Sequence, residues 1–446
     1  MSQHQSWAKQ AYRFQQGSIL STGVLAIALI VSPLCTQTVM AQTMLVQTAV
    51  SSAKGVSVLG APANVLSTSL AQGSAQVTPV PVTQAKSILL MDANTGQVLY
   101  QKNDELRLAP ASTTKLMTLY LALQSVHQHR VQWNEIVPVT PDAVRIAETP
   151  GVSDAYLDPR EQFTLRQMLQ FVSVISASDA TVAVADLIGG STVGFVHEMN
   201  TQAKQLGMTG THFANPDGLP NPNHYSTARD LAILARALVT QYPEVLQFTS
   251  MKSVTITSPL RKHPDTWYAT DELLGQYPGV DGLKTGFTDA AGFCYVGTVN
   301  QGGVRLISAV MGDTVSNQAQ RFVDTAKLYN WAYHNFSERT LYPGKKDLSQ
   351  FVAVPNGQRR QIFVKLAAPW RVILPKTAKG TVVWQPMSLE APISQGAIVG
   401  HLSYRIGNQV VSTVPALAAQ GDARAHWWLR LWRNVTAQIA HLLHPR

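Results

Sequence analysis

Charged residues are scarce in this chain: they make up 14% of its 446 residues, whereas soluble proteins typically carry about 25%. The scarcity does not indicate disorder, because 45% of the residues are hydrophobic. The formal net charge is +9, but the central chain has no arginine-rich run and no ladder of basic and aromatic residues. The composition therefore predicts two or three folded domains and argues against a nucleic-acid partner.

The first 41 residues, 1–41, have the pattern of a secretory signal peptide. Lys9 and Arg13 give a basic start without acidic residues, an apolar run follows from 19 to about 34, and Ala41 ends a small-residue cleavage pattern. Polar residues, a glycine and a proline interrupt the run, so it is short for a transmembrane helix, which needs about 20 apolar residues. We therefore expect cleavage after Ala41 and export.

Cysteine is as scarce as charge, with Cys35 and Cys294 alone in the chain. Cleavage after Ala41 would remove Cys35 and leave an exported protein without an internal disulfide, whose stability must come from buried cores. Cys294 lies in the apolar, strand-like run Gly-Phe-Cys-Tyr-Val-Gly-Thr-Val, which favours a buried, inert thiol.

Residues 42–84 are rich in Ala, Ser, Thr, Val and Gln with weak periodicity, and we interpret them as a linker. Two strand-like runs around an Asp-Ala-Asn-Thr-Gly turn then predict a β-hairpin. Hairpins at both ends, with helices between them, predict one α/β (α+β) domain on an antiparallel sheet over residues 85–343. The patterns inside it are helix 112–127, helix 163–188, helix 227–240, strand 293–300 and strand 304–312.

The sequence changes character near residue 344. Short strand-like runs between Gly, Pro and Asn turns predict a small all-β domain over residues 344–417. Residues 421–446 form an amphipathic helical pattern, with Trp428 and Trp432 on the apolar face and basic residues opposite. Such a helix often packs on its own domain, but tryptophans and a basic face favour the interface of an anionic membrane. We expect it to anchor the protein to the periplasmic face of the cytoplasmic membrane.

Ser112 lies where a proline-containing turn runs into an apolar helical pattern, and Lys115 follows three positions later. Residues i and i+3 of a helix share a face, so the two side chains would project together. A serine hydroxyl needs a base within hydrogen-bond reach to act as a nucleophile. A lysine pKa near ~10.4 is too high for that task, but burial lowers it. The pair therefore predicts a nucleophile and its general base.

Ser-x-x-Lys is a weak pattern by itself, since a chain of this length contains on the order of one or two by chance. Ser51 and Lys54 are such a pair, in the predicted linker. Taken alone, Ser112 is most simply interpreted as a helix N-cap.

Further along the chain, Lys284, Thr285 and Gly286 lead into a strand-like run. They offer a cation, a hydroxyl and, at the glycine, close approach of the backbone. Those groups suit the binding of a substrate carboxylate. Between the two segments, Ser176 and Ser178 open a second helical pattern.

The three segments resemble, in order and separation, the motifs Ser-x-x-Lys, Ser-x-Asn and Lys-Thr-Gly of the serine D-Ala-D-Ala carboxypeptidases. These are the low-molecular-mass penicillin-binding proteins of peptidase family S11. The resemblance includes the runs ANPDGLPNPNHYSTARDLAILARAL and RLISAVMGD, and extends over about 87–336. It implies a serine β-lactamase/transpeptidase-like domain that removes the terminal D-alanine of peptidoglycan stem peptides. β-Lactams are expected to acylate the same serine, and no metal or organic cofactor is implied.

The resemblance also implies catalytic roles for residues at matching positions. Ser112 would take the acyl group, with Lys115 as its general base. Ser176 would relay the proton to the departing amine. The oxyanion hole would come from backbone N–H groups, of Ser112 and of Phe287.

Substrate binding is implied for Lys284, Thr285, Gly286, Ser178 and Phe287. Lys284 would lower the pKa of the neighbouring base and attract the substrate carboxylate, which Thr285 would hydrogen-bond. Two positions depart from the family pattern. Ser178 replaces the usual asparagine, which would weaken substrate binding or require a bridging water, because a hydroxyl is shorter and has one proton. Phe287 replaces a frequent histidine, which would change pH dependence or deacylation.

Several alternatives stay open from the sequence. A class A β-lactamase shares the motif order, but the Glu-x-x-x-Asn pattern that it needs is absent between Ser178 and Lys284. A non-catalytic peptidoglycan- or penicillin-binding protein with a decayed second motif, or a D,D-endopeptidase, would use the same groups. Arg321 is either a further carboxylate ligand or a surface helix arginine. His127 and His129 alternate like metal ligands, but no third ligand is nearby, so a solvated helix end is expected.

Overall fold

The computed structural model describes residues 77–313, 317–344, 348 and 350–443. The predicted signal peptide, 1–41, and the predicted linker up to residue 76 lie outside the described residues. The helices of the described part are α1 (Lys115–His127), α2 (Pro141–Ala147), α3 (Leu165–Val174), α4 (Ser178–Gly189), α5 (Thr192–Leu206), α6 (Ala228–Gln241), α7 (Leu246–Thr249), α8 (Gln320–Asn335) and α9 (Trp427–Leu443). The strands are β1 (Ser87–Asp92), β2 (Val98–Lys102), β3 (Ile136–Val137), β4 (Phe163–Thr164), β5 (Ser253–Ile256), β6 (Asp265–Tyr268), β7 (Val280–Thr288), β8 (Gly292–Gln301), β9 (Val304–Asp313), β10 (Phe336–Tyr342), β11 (Phe351–Ala353), β12 (Gln361–Lys365), β13 (Trp370–Pro375), β14 (Thr381–Pro386), β15 (Ile398–Ile406) and β16 (Gln409–Ala418).

An antiparallel sheet in the order β2-β1-β9-β8-β7 forms the centre of the first domain. Every residue of β1 is buried, because both faces of the sheet are covered. Leu89 and Met91 pack in the core with the helices of one face, whereas Ile88 and Leu90 pack with Leu328 of α8 on the other. The predicted α/β domain on an antiparallel sheet is confirmed, and β7 lies at its edge.

The helical pattern predicted over 163–188 is two helices with a break between them. A capping box at Thr164 and Gln167 starts α3, since each side chain bonds the backbone of the other. The helix ends at Val174, and α4 starts at Ser178 after Ser176, whose φ is 62°. A left-handed residue cannot continue a helix. The second motif therefore lies at a helix break, where side chains reach the site.

The described end of the predicted linker, 77–84, packs along α8. The Trp331 indole donates to the Thr78 carbonyl at 2.8 Å, and the backbone N–H of Gln84 donates to Asp324 at 2.6 Å. The folded part of the chain thus begins before residue 85.

The C-terminal strands form a module with its own hydrophobic core, around a sheet in the order β11-β12-β16-β15-β14. In β12, Ile362 and Val364 are buried while Gln361 and Phe363 are exposed, as expected for a sheet with one face on a core. The sequence predicts a first domain that extends to residue 343, whereas in the structure β10 pairs with β13. A strand is held by its ladder partner, so β10 belongs with the β module.

No single helix of the described residues is long and apolar enough to cross a membrane. Within the part of the chain that the structure describes, α4 and α5 taken together have the length and composition, but they meet at 81°.

Candidate active site

Ser112 lies in a 3₁₀ turn, Ala111–Thr114, and Lys115 begins α1 directly after it. Ala111 has a φ of 49°, in the left-handed region that non-glycine residues rarely adopt, so the backbone is strained just before Ser112. Lys115 Nζ lies 3.0 Å from Ser112 Oγ. The structure thus brings together the two side chains that the spacing predicted to share a face; their chemical roles stay predictions.

Lys115 is completely buried, as expected for a lysine that acts as a base. Its Nζ also donates to the carbonyl oxygen of Asp217 at 2.8 Å and to Ser178 Oγ at 3.2 Å. Burial lowers the pKa of Lys115 to about 8, although the carboxylates of Asp217 and Asp179 act in the opposite direction. The amine is therefore neutral in a useful fraction of molecules near that pH.

The lowered pKa of Lys115 predicts how acylation of Ser112 depends on pH. Below about 8 the protonated amine cannot take the Ser112 proton, so the acylation rate constant should fall about tenfold per pH unit. Above it, the rate constant should level off. Stopped-flow acylation with a fluorescent penicillin between about pH 6 and 10 measures this profile. A rate constant that is flat over the range would contradict the role of Lys115.

Gly218 supports the strained turn. Its φ is 90°, and a Cβ there would lie 1.9 Å from the Ala111 carbonyl oxygen and 2.9 Å from the Ser112 nitrogen. The preceding residue, Asp217, supplies the carbonyl that Lys115 contacts. Only glycine tolerates both this backbone conformation and this closeness. Sequence reasoning noted the Asn-Pro-Asp-Gly run through its resemblance and missed this contact.

Replacing Gly218 with alanine should push the Ser112 turn out of position. We expect the Gly218→Ala variant to be acylated by penicillin about a hundredfold more slowly, because small displacements of reacting groups cost about that much. Gly207→Ala is the matched control, since its φ is 79° but nothing lies within 4 Å of its Cβ position. Equal acylation rates in the two variants would show that the contact does not position Ser112.

The second motif places Ser178 against Lys115. Ser176 is buried, and within the described ranges its hydroxyl has no hydrogen-bond partner. Ser178 begins α4 and its Oγ reaches Lys115 Nζ directly at 3.2 Å, so no bridging water is needed there. The proton-relay role of Ser176 stays a prediction, and Ser178 is a second hydroxyl positioned to exchange a proton with Lys115.

The third motif buries Lys284 and Thr285 on β7. Lys284 Nζ donates to the Thr285 carbonyl at 3.0 Å, and Thr285 Oγ1 lies 2.6 Å from Oγ1 of Thr270. Burial lowers the pKa of Lys284 well below its usual value, and the Lys115 and Arg321 cations lower it further. For Lys115 the lowering of the pKa comes from burial, and the contribution expected from Lys284 stays a prediction.

Gly286 lets β7 approach the Ser112 turn. A Cβ at this position would lie 3.1 Å from both the Ser112 nitrogen and the Pro110 carbonyl oxygen. The Ser112 amide and the backbone of an edge strand therefore lie side by side, which suits an oxyanion hole. Phe287, the next residue, is half exposed and stacks on Phe293 with ring centroids 4.5 Å apart. It contributes apolar surface where the family pattern has a histidine.

Arg321 is buried under β7 and is not a surface residue. Its Nη1 donates to the Gly286 carbonyl at 3.4 Å, and its guanidinium lies 5.0 Å from the ring centroid of Phe293. Burial lowers the pKa of Arg321. Through its hydrogen bond to Gly286, the Arg321 side chain holds the backbone of the third motif, and it adds positive potential there.

Two buried carboxylates that sequence reasoning missed hold the segments around the site. Asp179 accepts from the backbone N–H groups of Ala155 at 3.0 Å and Leu157 at 3.1 Å. Asp271 accepts from the Tyr295 hydroxyl at 2.9 Å, and burial raises its pKa to about 6. A lone acid has no local pattern that reveals such contacts.

The remaining candidates lie outside the site. His127 pairs with Glu244, and the described ranges hold no group of three or more His, Cys, Asp or Glu residues fit for a metal. Cys294 is buried, and burial raises its pKa to about 11, which agrees with an inert thiol.

Comparison with known proteins agrees with this geometry. The family model described as D-alanyl-D-alanine carboxypeptidase, peptidase family S11, matches residues 74–315. The model described as penicillin-binding protein 5, C-terminal domain, matches residues 336–424. The chain therefore belongs to the D-alanyl-D-alanine carboxypeptidase family of serine hydrolases.

Individual relatives extend over both domains. D-alanyl-D-alanine carboxypeptidase DacF of Bacillus subtilis is 33% identical over 77% of this chain and 87% of its own length. The crystal structure of penicillin binding protein 5 from Haemophilus influenzae is 29% identical, covers 78% of this chain and all of its own, and has a TM-score of 0.72. Penicillin-binding protein D2 of Listeria monocytogenes, solved with ampicillin bound, is 32% identical over 57% of this chain and 99% of its own, with a TM-score of 0.50. The predicted fold class is confirmed, and these relatives support the carboxypeptidase over the non-catalytic protein and the endopeptidase.

Proposed function

We propose that this chain removes the terminal D-alanine from peptidoglycan stem peptides through an acyl-enzyme on Ser112. One observation carries the proposal: in a chain of this family, the Nζ of a fully buried lysine lies 3.0 Å from Ser112 Oγ. A serine with a neutral amine at this distance is an activated nucleophile.

In the acylation step, Lys115 takes the Ser112 proton as Oγ attacks the carbonyl carbon between the two D-alanines. The Ser112 amide and the adjacent edge of β7 stabilise the oxyanion. The proton then returns from Lys115 to the departing D-alanine nitrogen, either directly or through the Ser178 hydroxyl at 3.2 Å. The C–N bond breaks, D-alanine leaves, and the remaining peptide is an ester of Ser112.

The departing D-alanine carries a carboxylate, and the side chains of the third motif are suited to bind it. Thr285 supplies a hydroxyl already oriented by Thr270 at 2.6 Å, and the buried Arg321 guanidinium adds positive charge. In the second step, water attacks the ester with Lys115 again as base, which restores Ser112. A β-lactam offers a similar carboxylate and a reactive amide, so it acylates Ser112 by the same route.

The experiment that tests this function offers three substrates to the purified protein. They are a monomeric stem pentapeptide that ends in D-Ala-D-Ala, a cross-linked stem-peptide dimer and benzylpenicillin. We expect D-alanine from the pentapeptide, little cleavage of the dimer and slow loss of the penicilloyl adduct. Faster cleavage of the dimer would make the protein an endopeptidase, and rapid release of penicilloate would make it a β-lactamase.

We also propose that the protein is exported and held on the outer face of the cytoplasmic membrane by α9. The N-terminal signal pattern supports export. On α9, Trp428, Leu431 and Trp432 are each more than half exposed, while Arg433 on the opposite side donates to the Gly357 carbonyl at 2.7 Å. The basic face thus contacts the β module and the apolar face points outward, which suits a helix lying in a membrane interface.

This anchoring predicts binding to anionic vesicles. We expect the protein without residues 1–41 to sediment with phosphatidylglycerol vesicles. The Trp428→Ser/Trp432→Ser variant should have an about tenfold lower partition coefficient, because it lacks the two indoles that would be buried in the membrane interface. Trp267→Ser, on β6 of the first domain, should not change sedimentation. Equal partitioning of all three proteins would refute the anchor.

A further inference from the structure

Two exposed aromatic rings meet on segments that are hydrogen-bonded to the neighbourhood of the catalytic motifs. The rings of Tyr156 and Trp267 lie in a tilted arrangement, with centroids 6.2 Å apart and planes at 33°. Tyr156 is 66% exposed and Trp267 is 36% exposed, so one face of the pair is open to solvent. Large aromatic side chains with an apolar body and a polar end are well suited to binding another molecule.

The backbone of Tyr156 is strained, and a partly buried arginine paired with a buried glutamate holds it. Its φ is 52°, which is rare for a bulky residue. Arg261 donates to the carbonyls of Ala155 at 2.9 Å and Tyr156 at 3.1 Å, and pairs with the buried Glu161 at 2.8 Å. Strain that the surrounding structure maintains often marks a functional position. Here its result is an aromatic ring turned outward.

Both rings lie on segments attached to the catalytic motifs. On one side, Asp179 accepts from the backbone of both residues that flank Tyr156, and the Ser178 amide donates to the Ser153 carbonyl at 2.7 Å. Arg261 also pairs with Asp265 of β6 at 3.1 Å, which fastens the strand of Trp267 to the same loop.

On the other side, the chain runs from Trp267 to Thr270 in three residues. Thr270 Oγ1 contacts the Thr285 hydroxyl at 2.6 Å, and the Thr270 amide donates to the Val174 carbonyl at 3.3 Å. The aromatic pair thus bridges the segment next to the second motif and the segment next to the third.

We propose that Tyr156 and Trp267 form a platform that binds the residues of the stem peptide preceding its two terminal D-alanines. The inference rests on the proposed function, since it takes the D-Ala-D-Ala end to lie between Ser112 and Thr285. The platform contacts the hydrocarbon surface of the upstream peptide. Fixed rings make that contact at a low entropic cost, because they have few rotatable bonds. The pair thereby distinguishes a long stem peptide from a bare dipeptide.

The test compares binding of two ligands to a protein that cannot turn them over. NMR titration of the Ser112→Ala variant with a D-Ala-D-Ala-terminated stem pentapeptide and with N-acetyl-D-Ala-D-Ala gives the reference affinities. Tyr156→Gly and Trp267→Ala are then added in turn. Tyr156→Gly removes the ring and relieves the backbone strain, because glycine accepts a positive φ. Tyr268→Ala is the control: it is 76% exposed and alternates to the other side of β6 from Trp267.

We expect each platform variant to bind the pentapeptide about fivefold to tenfold more weakly and the dipeptide unchanged, as for loss of one aromatic contact. The control should bind both ligands as the reference does. If both ligands bound equally more weakly, the rings would have a merely structural role. The platform would be overturned if the platform variants bound the pentapeptide as tightly as the Ser112→Ala reference, or if the reference itself did not bind the pentapeptide. Absence of D-alanine release by the wild-type protein would instead refute the proposed function, because this comparison needs no turnover.

Discussion

Replacing Ser112 with alanine is expected to abolish release of D-alanine from a stem pentapeptide. The variant removes the atom that forms the acyl bond and leaves the binding groups in place. In serine hydrolases such a change costs about 10⁴-fold or more in kcat. A coupled D-amino-acid oxidase assay on equal amounts of both proteins measures the difference.

The chain supplies its own control for this prediction. Ser51 has the same Ser-x-x-Lys spacing as Ser112, with Lys54 three positions later. Ser51→Ala should release D-alanine at the wild-type rate. If Ser112→Ala kept more than about a hundredth of the activity, Ser112 would not be the nucleophile, since the expected loss is far larger.

Replacing Lys115 is expected to have the second largest effect. Lys115→Met removes the base while keeping an apolar chain of similar length in the buried position. General-base catalysis typically contributes about 10²–10⁴-fold, so we expect a loss of about 10³-fold in the rate constant for acylation by penicillin. Lys115→Arg should be just as slow, because a guanidinium stays protonated at any usable pH.

The shape of the pH profile separates a lost base from a damaged site. The residual acylation of Lys115→Met should no longer rise as the pH increases through about 8, which is the pKa of the wild-type amine. Thermal unfolding should show a folded variant, because the substitution removes a buried charge and does not create a cavity. A variant that keeps the wild-type profile would mean that another group acts as the base.

Local spacing made much of this site predictable. Positions i and i+3 place Ser112 and Lys115 on one face, and the apolar neighbours of Lys115 predicted its burial, which the structure confirms. Short strand-like runs between Gly, Pro and Asn turns likewise predicted the β module. These features depend on residues close together in the sequence.

Contacts between distant segments could not be predicted in this way. The Asp217 carbonyl and Gly218 meet the Ser112 turn across about a hundred residues, and no periodicity encodes that approach. The break at Ser176 was predicted only in part: Ser176 and Ser178 were expected to open a second helical pattern, but the helical pattern 163–188 runs through the position where the backbone turns left-handed. The pairing of β10 with β13 also depends on tertiary structure.

Intact-mass spectrometry of the wild-type protein tests the central claim most directly. The protein is mixed with benzylpenicillin, its adduct is located by peptide mapping, and D-alanine released from a stem pentapeptide is measured in parallel. The account predicts one stable penicilloyl adduct, on the peptide that contains Ser112, together with release of D-alanine. An unmodified Ser112, or an adduct on another residue, would contradict it.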